Sequence, residues 1–258
     1  MQSARQLSIT ASMSSLWSLP PETVRLSTND VHIWRVHLNQ AESTAEQLFG
    51  TLTIDERSRA KRFYFQKDQK HFIVARGTLR AILGHYLSIE PEKLSFSYNE
   101  YGKPVLSKDF ASSGLRFNLS HSDGLALYAI TRKREIGIDV ERLRPDFATS
   151  EIAERFFSAQ EVQALRALPD HLQTEAFFNC WTRKEAYIKA RGQGLSIPLD
   201  QFEVSLTPGH LASLLRTYWD LEEASLWSLR ELHPGPGYVA AVAVQGDDWQ
   251  LKYREWSK

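Results

Sequence analysis

Two short segments of the chain resemble each other, and each stands between a helical pattern and a strand pattern. Residues 87–97 read LSIEPEKLSFS, and residues 195–205 read LSIPLDQFEVS. A repeat of this kind predicts two similar halves, each mixing helices with an antiparallel sheet, and suggests a site at the interface between them. Turn-forming segments also converge by chance, so coincidence stays open as the alternative.

The other patterns in the 258-residue chain favour an α+β fold in two parts. Apolar spacing predicts helices from 53 to about 87 in the first part, and from 150 to about 191 in the second. Strand patterns rich in β-branched and aromatic residues precede and follow these helices. We therefore expect a loose tail over residues 1–30, a first half over 31–145 and a second half over 146–258.

Charge and composition exclude several classes of protein. The chain has 31 basic and 31 acidic side chains, so it lacks the overall positive field of a nucleic-acid binder. Its apolar runs fall short of the ~20 residues of a membrane-spanning helix, and its start lacks a signal-peptide pattern. Cys180 is the only cysteine, which excludes an intrachain disulfide framework. We expect a cytoplasmic monomer with no membrane or nucleic-acid partner.

The segment from Gly137 to Glu141 reads as an acidic strand. Alternate side chains of a strand share a face, so Asp139 and Glu141 lie on the same side as Gly137. Carboxylate oxygens are preferred ligands of Mg²⁺, which also binds water and substrate phosphates, and Gly137 would leave room for such a group. Two carboxylates at a strand end are equally compatible with a solvent-exposed face and loose ion pairs to Arg142 and Arg144.

Residues 181–189 lie inside the helix predicted to end near residue 191, and they place a third carboxylate among basic residues. Glu185 and Lys189 are four residues apart and share a helix face, and Lys184 is adjacent in sequence. A surface ion pair is the simpler explanation for such a spacing. The aromatic residues of the segment indicate a buried face, which favours a functional cluster instead.

Two further segments carry groups that bind phosphate in proteins. Ser120 and His121 belong to the stretch 117–124, which we predict to form a turn before the next strand. The stretch 56–80 carries eight basic side chains. Hydroxyls in a turn are also typical of backbone capping, and a basic run is typical of a solvated helix face.

In this order the motifs resemble those of the Sfp-type, or surfactin-synthetase-type, 4′-phosphopantetheinyl transferases. The resemblance covers roughly residues 53–206. Several dispersed motifs in one order are more specific than any single motif. The motif residues are Arg62-Phe63-Tyr64, Glu100 to Pro104, Phe117 to Ser122, Gly137 to Glu141, Arg155 to Ser158 with Glu161, and Trp181 to Lys189.

The resemblance implies a fold, a reaction and a set of partners. The larger members of the family fold as two similar α/β halves, a pseudo-dimer with the active site in the cleft between them. They move the 4′-phosphopantetheine arm of coenzyme A to a serine of an apo acyl-carrier or peptidyl-carrier protein and release adenosine 3′,5′-bisphosphate. The reaction depends on Mg²⁺, for which Mn²⁺ could substitute.

The resemblance also implies a metal site shared by the two halves. Asp139 and Glu141 would close the first half, and Glu185 would bring the third carboxylate from the second half. These three side chains would hold Mg²⁺ against the pyrophosphate of coenzyme A.

The remaining roles implied by the resemblance concern catalysis and coenzyme A. Lys189 would be catalytic, and Glu161 would be the base for the carrier serine, although Ser158 to Glu161 also matches a helix-capping box. Arg59 would bind the 3′-phosphate, and Arg76 is a weaker candidate. The residues expected to contact coenzyme A are Arg59, Arg76, Tyr101, Gly102, Lys103, Pro104, Ser120, His121, Lys184 and Lys189.

Two other functions agree with the same residues. A non-catalytic module could bind acidic carrier domains through the stretch 56–80 without a metal ion. Another Mg²⁺-dependent phosphoryl enzyme, such as a phosphodiesterase, could act on coenzyme A with no protein acceptor.

Overall fold

The computed structural model of the protein describes residues 16–21 and 23–257, and within them it contains six α-helices and eleven strands. The helices are α1 (Glu42–Gly50), α2 (Ile54–Ala60), α3 (Gln66–Leu87), α4 (Ser150–Phe156), α5 (Ala159–Arg166) and α6 (Asp170–Arg191). The strands are β1 (Asp30–His37), β2 (Phe96–Tyr98), β3 (Pro104–Leu106), β4 (Leu115–Ser122), β5 (Leu125–Arg132), β6 (Ile136–Arg142), β7 (Phe202–Val204), β8 (Leu214–Thr217), β9 (Trp227–Leu232), β10 (Tyr238–Gln245) and β11 (Gln250–Glu255).

The same order of elements occurs twice along the chain. β1, α1 to α3, the hairpin β2–β3 and the pair β4–β5 are followed by β6, α4 to α6, the hairpin β7–β8 and the pair β9–β10. Strand order repeats as well, because one sheet runs β11-β1-β5-β4 and the other runs β6-β10-β9. The predicted α+β class is confirmed.

The strand pairing places the division between the halves earlier than the sequence predicts. β6 pairs antiparallel with β10, so Asp139 lies opposite Ala241 in the second sheet. The acidic strand therefore belongs to the second half, and the division falls at the short connection between β5 and β6 rather than near residue 145. The hydrophobic pattern of a strand shows which faces are buried but not which strand it pairs with.

The last strand of the chain joins the first sheet instead of the second. β11 pairs in parallel with β1, with Ile33 opposite Tyr253. The chain segment before β1 packs onto this edge, since the buried ring of Trp17 lies 4.9 Å from the ring of Tyr253 and under the guanidinium of Arg35. The predicted loose tail is thus wrong for the described residues before β1; residues 1–15 and 22 lie outside the described part.

The two sheets and the two long helices form four layers. Trp34 and Tyr128 of the first sheet pack toward α3, whereas the neighbouring residue Ile33 packs against the second sheet. On β6, Ile138 and Val140 face the first sheet. This alternation buries both faces of each sheet, so the inner layers are apolar and each long helix covers an outer face. None of the described helices is both long and apolar enough to cross a membrane.

Gly137 sets the distance between β6 and α6. A Cβ atom at Gly137 would lie 2.1 Å from the carbonyl oxygen of Ala186 and 2.3 Å from the amide nitrogen of Ala190. The glycine therefore makes room for the backbone of α6, and the expectation that it leaves room for a group bound to the metal is wrong. This close contact holds α6 against the strand face that carries Asp139.

We expect G137A to lower the free energy of unfolding by about 3 kcal/mol, because the added methyl group meets backbone atoms that have to move. The matched control is G50A, since a Cβ atom at Gly50 meets nothing within 4 Å and alanine favours a helix. Urea denaturation of both variants tests the expectation. Equal stability of G137A and the wild type would show that the helix does not depend on this contact.

Candidate active site

Polar side chains of β4 bind the open edge of β6 and so connect the two sheets. The amide nitrogen of Ile138 donates to Asn118 Oδ1 at 2.9 Å, and that of Arg142 donates to Ser122 Oγ at 3.1 Å. These bonds satisfy backbone donors that have no strand partner on that side. Residues 117–122, which were predicted to form a turn, therefore belong to the strand β4, in which every second side chain is polar, and the turn is confined to Asp123 and Gly124.

The same side chains of β4 orient the two acidic residues of β6. Ser120 Oγ donates to Asp139 Oδ1 at 2.8 Å, and Ser122 Oγ donates to Glu141 Oε2 at 2.8 Å. The two carboxylates lie on one strand face, as the alternation predicts. Asn118 and Ser122 were not predicted as site residues, but the polar alternation of residues 118, 120 and 122 was the available signal.

α6 supplies the opposite wall of the site. Lys189 Nζ donates to Asp139 Oδ1 at 2.6 Å and to Ser120 Oγ at 3.1 Å. Glu185 lies one helical turn earlier and faces the same depression. A pocket of about 430 Å³ results, lined by Leu119, Ser120, His121, Asp139, Glu141, Trp181, Glu185 and Lys189.

Three carboxylates and one ammonium group make the pocket electrostatically strained. Burial, the charge of Asp139 and, more weakly, that of Glu141 raise the pKa of Glu185 to about 7. Burial and Asp139 also raise the pKa of Glu141. Burial disfavours the charged form of Lys189, but the ion pair with Asp139 and the charges of Glu185 and Glu141 together outweigh this effect and raise the pKa of the ammonium.

One oxygen of Asp139 has no partner. Asp139 is only 2% exposed, and its Oδ2 atom accepts no hydrogen bond. An unpartnered buried carboxylate oxygen is unfavourable unless a ligand satisfies it. In the part of the chain that the structure describes, no three acidic, imidazole or thiol groups stand close enough to form a finished metal site. The donor set nevertheless fits a hard divalent cation, which prefers carboxylate oxygens and would relieve their repulsion.

His121 stands at the rim of this pocket. Its side chain is exposed, and it lies beside the buried hydroxyl of Ser120. The surrounding protein and the cation of Lys189 lower the pKa of His121 below its usual value. The structure thus brings together six of the predicted residues: Ser120, His121, Asp139, Glu141, Glu185 and Lys189.

Lys184 does not line the pocket, contrary to the prediction. Its ammonium group is fully buried, forms an ion pair with Glu161 Oε2 at 2.7 Å and donates to the carbonyl oxygens of Leu199 and Phe202. Neighbouring residues on a helix point about 100° apart, so Lys184 and Glu185 face different surroundings. The expected contact of Lys184 with phosphate is therefore wrong.

The geometry of Glu161 agrees with a helix cap. Glu161 is 3% exposed, and it forms a capping box with Ser158 at the start of α5. Its Oε1 atom accepts from the amide nitrogen of Val204 at 2.8 Å, and Oε2 accepts from that of Ser158 at 2.8 Å. With both oxygens engaged and buried, Glu161 lies in the structure as a capping residue and not as an accessible base.

The basic stretch divides into buried and exposed residues. Arg76 is buried, donates from Nε to Glu56 Oε1 at 2.5 Å and from Nη2 to the hydroxyl of Tyr98 at 3.0 Å. This engagement corrects the prediction that Arg76 binds a phosphate group. Arg59 is exposed, with its guanidinium over the ring of Phe72.

The turn at residues 101–104 connects the first half to the end of α6. Asn99 Oδ1 accepts from the amide nitrogens of Tyr101 and Lys103, and Asn99 Nδ2 donates to the carbonyl oxygen of Gly192 at 2.6 Å. The ammonium group of Lys103 donates to the carbonyl oxygens of Ile136 and Ala190, so this side chain is structural. Tyr101 and the backbone of the turn remain exposed, and Gly102 has a φ of +85°.

Comparison with known proteins assigns the chain to a family. Residues 135–243 match the model of the 4′-phosphopantetheinyl transferase superfamily, and residues 38–132 match the N-terminal model of 4′-phosphopantetheinyl transferase. The 4′-phosphopantetheinyl transferase HetI of Nostoc sp. is 46% identical over 92% of this chain and 97% of its own length. The chain belongs to the 4′-phosphopantetheinyl transferase family. The predicted resemblance and the predicted enzyme class are confirmed.

Other 4′-phosphopantetheinyl transferases are more distant. Sfp of Bacillus subtilis is 32% identical over 82% of this chain and 89% of its own. Human L-aminoadipate-semialdehyde dehydrogenase-phosphopantetheinyl transferase is 29% identical over 80% of this chain and 72% of its own. The two matched family models meet at residues 132 and 135, which is where the strand pairing divides the halves.

We expect the metal-free transferase to lose stability as the pH rises from about 4.5 to about 7, because folded Glu185 keeps its proton when unfolded Glu185 has lost it. E185Q removes this ionisation, so its melting temperature should exceed that of the wild type at pH 8, and the gain should vanish near pH 4.5. Calorimetry in the presence of a chelator measures the difference. E175Q, exposed on the same helix, is the control. A lower melting temperature of E185Q at pH 8 would contradict the repulsion described here.

Proposed function

We propose that the protein transfers the 4′-phosphopantetheine arm of coenzyme A to a serine of an apo acyl-carrier or peptidyl-carrier protein. The serine oxygen forms a bond to the phosphorus that carries the arm, while the bond from that phosphorus to the bridging oxygen breaks. The bridging oxygen leaves with adenosine 3′,5′-bisphosphate, and the hydroxyl proton goes to the solvent. The supporting observation is the pocket lined by Asp139, Glu141, Glu185 and Lys189, in which the Oδ2 atom of Asp139 has no hydrogen-bond partner.

Asp139, Glu141 and Glu185 would hold Mg²⁺, or Mn²⁺ in its place. When bound, the ion neutralises charge on the pyrophosphate and on the leaving group. The raised pKa values of Glu141 and Glu185 support this assignment, since a bound cation would favour the ionised forms that burial and the neighbouring carboxylates disfavour. The unpartnered oxygen of Asp139 would be a ligand of the cation.

Lys189 and His121 would bind the phosphates of coenzyme A, whereas the buried hydroxyl of Ser120 already donates its single proton to Asp139 and would hold that carboxylate in place. Lys189 is the cation nearest the carboxylates, and its position against Asp139 lets it neutralise a phosphate oxygen beside the ion. His121 stands on β4 at the exposed rim of the pocket, next to the buried Ser120. Together these groups would orient the pyrophosphate and stabilise the charge that develops as the bond breaks.

The adenosine part of coenzyme A would lie along residues 101–104. The exposed ring of Tyr101 and the backbone of Gly102 and Pro104 are available for the adenine, whereas the ammonium of Lys103 is engaged elsewhere. Arg59 remains the candidate for the 3′-phosphate because its guanidinium is exposed.

Mass spectrometry of a carrier protein tests the proposed function. The full chain is mixed with coenzyme A, Mg²⁺ and an apo carrier protein, and the acceptor is weighed. A phosphopantetheine-sized gain is expected, and EDTA should abolish it. Binding of carrier or coenzyme A without any mass gain across several carriers would favour a non-catalytic module. Cleavage of coenzyme A without an acceptor would favour a phosphodiesterase.

We expect D139N to reduce the transfer rate by roughly 100-fold, equivalent to about 3 kcal/mol of transition-state stabilisation. Asparagine keeps an acceptor for Ser120 and Lys189 but replaces the unpartnered oxygen by an amide donor. The matched control is D247N, because Asp247 is exposed on the surface. Transfer rates at saturating Mg²⁺ provide the measurement, and a rate of D139N equal to that of D247N would exclude this strand as the metal site.

A further inference from the structure

A buried ion pair occurs at the same place in each half. In the second half, Glu161 at the start of α5 pairs with Lys184 of α6 at 2.7 Å. In the first half, Glu56 at the start of α2 pairs with Arg80 of α3 at 2.7 Å. Both glutamates complete a capping box, Glu161 with Ser158 and Glu56 with Thr53. All four charged side chains are buried.

The two cations also bind equivalent carbonyl oxygens. Arg80 Nη1 donates to the carbonyl oxygens of Pro91 and Leu94, both at 2.9 Å. Lys184 Nζ donates to the carbonyl oxygens of Leu199 at 2.7 Å and Phe202 at 2.6 Å. Each cation thus holds the turn that follows its long helix and leads into a short strand.

These contacts coincide with the sequence similarity between the halves. In the segments 87–97 and 195–205, Pro91 and Leu199 are the fifth residues, and Leu94 and Phe202 are the eighth. The equivalence found from hydrogen bonds is therefore the same as the one found from sequence. The sequence similarity and the hydrogen bonds both indicate that the pair of a glutamate and a cation is a structural feature repeated in the two halves.

The pair Glu56–Arg80 shows the role of such an ion pair in the half that has no acidic pocket. Glu56 is buried and accepts from Arg76, Arg80 and the amide nitrogen of Thr53, so its carboxylate is not accessible to a substrate. The carboxylate of Glu161 is engaged in the same way. A role that both copies share has to be architectural, since the pocket carboxylates lie on β6 and α6 of the second half.

We propose that Glu161 and Lys184 are a positioning pair for α6 and not a proton acceptor with its partner. The pair links α5, α6 and β7, because Glu161 also accepts from the amide nitrogen of Val204 at the end of that strand and Lys184 donates to the carbonyl oxygen of its first residue. A fixed Lys184 fixes the rotation of α6 about its axis, and this rotation determines where Glu185 and Lys189 enter the pocket. The inference rests on the proposed Mg²⁺ site.

Three variants of the full chain separate positioning from proton transfer. E161Q leaves the ammonium of Lys184 buried and unpaired, so we expect a lower melting temperature and an apparent Mg²⁺ affinity reduced roughly 10- to 100-fold. K184M should have a similar effect, because it leaves the carboxylate of Glu161 unpaired. The double variant E161Q/K184M removes both charges, and it should recover most of the lost stability, Mg²⁺ affinity and transfer rate.

If Glu161 is the catalytic base, the three variants should behave differently. If Glu161 removed the serine proton, E161Q/K184M would transfer as slowly as E161Q, and both would change the pH dependence of the rate at saturating Mg²⁺. Either outcome overturns the positioning role. Recovery in the double variant with an unchanged pH profile supports it, because removal of a second charged group cannot restore a missing base.

E56Q is the matched control from the other half. It breaks the equivalent pair, so it should lower the melting temperature as E161Q does, but it should leave the Mg²⁺ affinity unchanged because Glu56 does not adjoin α6. An equal loss of Mg²⁺ affinity in both variants would show that the effect is only general destabilisation. Isothermal titration calorimetry with Mg²⁺ and coenzyme A measures the binding affinities without turnover. A failure of the wild type to modify carriers would therefore count against the proposed function and not against the positioning role.

Discussion

The rest of the structure depends on the hydrogen bonds from alternate side chains of β4 to β6. Asn118, Ser120 and Ser122 reach across from the first sheet and bind both the open backbone edge of β6 and its two carboxylates. The contact that joins the halves is thus also the contact that orients Asp139 and Glu141. Because the fold and the site depend on the same hydrogen bonds, a change in the angle between the sheets would also displace the acidic groups.

The carboxylate cluster is accommodated because the surrounding layers are stable. Three acidic groups in a half-buried pocket repel one another, and Lys189, which pairs directly only with Asp139, offsets this repulsion in part, so the pKa values of Glu185 and Glu141 stay raised. The apolar layers between the sheets and the close packing at Gly137 keep the groups in place despite the unfavourable charge. Strain of this kind is common where a protein is organised around a charged ligand.

The sequence predicts the site better than it predicts the arrangement of the halves. Strand alternation places Asp139 and Glu141 on one face, and helical spacing places Glu185 and Lys189 together, since both depend on local periodicity. Strand partners depend on distant residues, so the sheet to which β6 and β11 belong could not be inferred. Lys184 and Arg76 were misassigned because a charged side chain reads as exposed until its buried partners are known.

The return of β11 to the first sheet has a consequence for folding during synthesis. β1 is made early and β11 nearly last, yet β11 covers the edge of β1 that β5 leaves open. Until β11 has been made, the first half has an unpaired strand edge, which is the kind of edge that pairs with other chains. The nascent protein therefore completes its first sheet only after its second sheet has been translated.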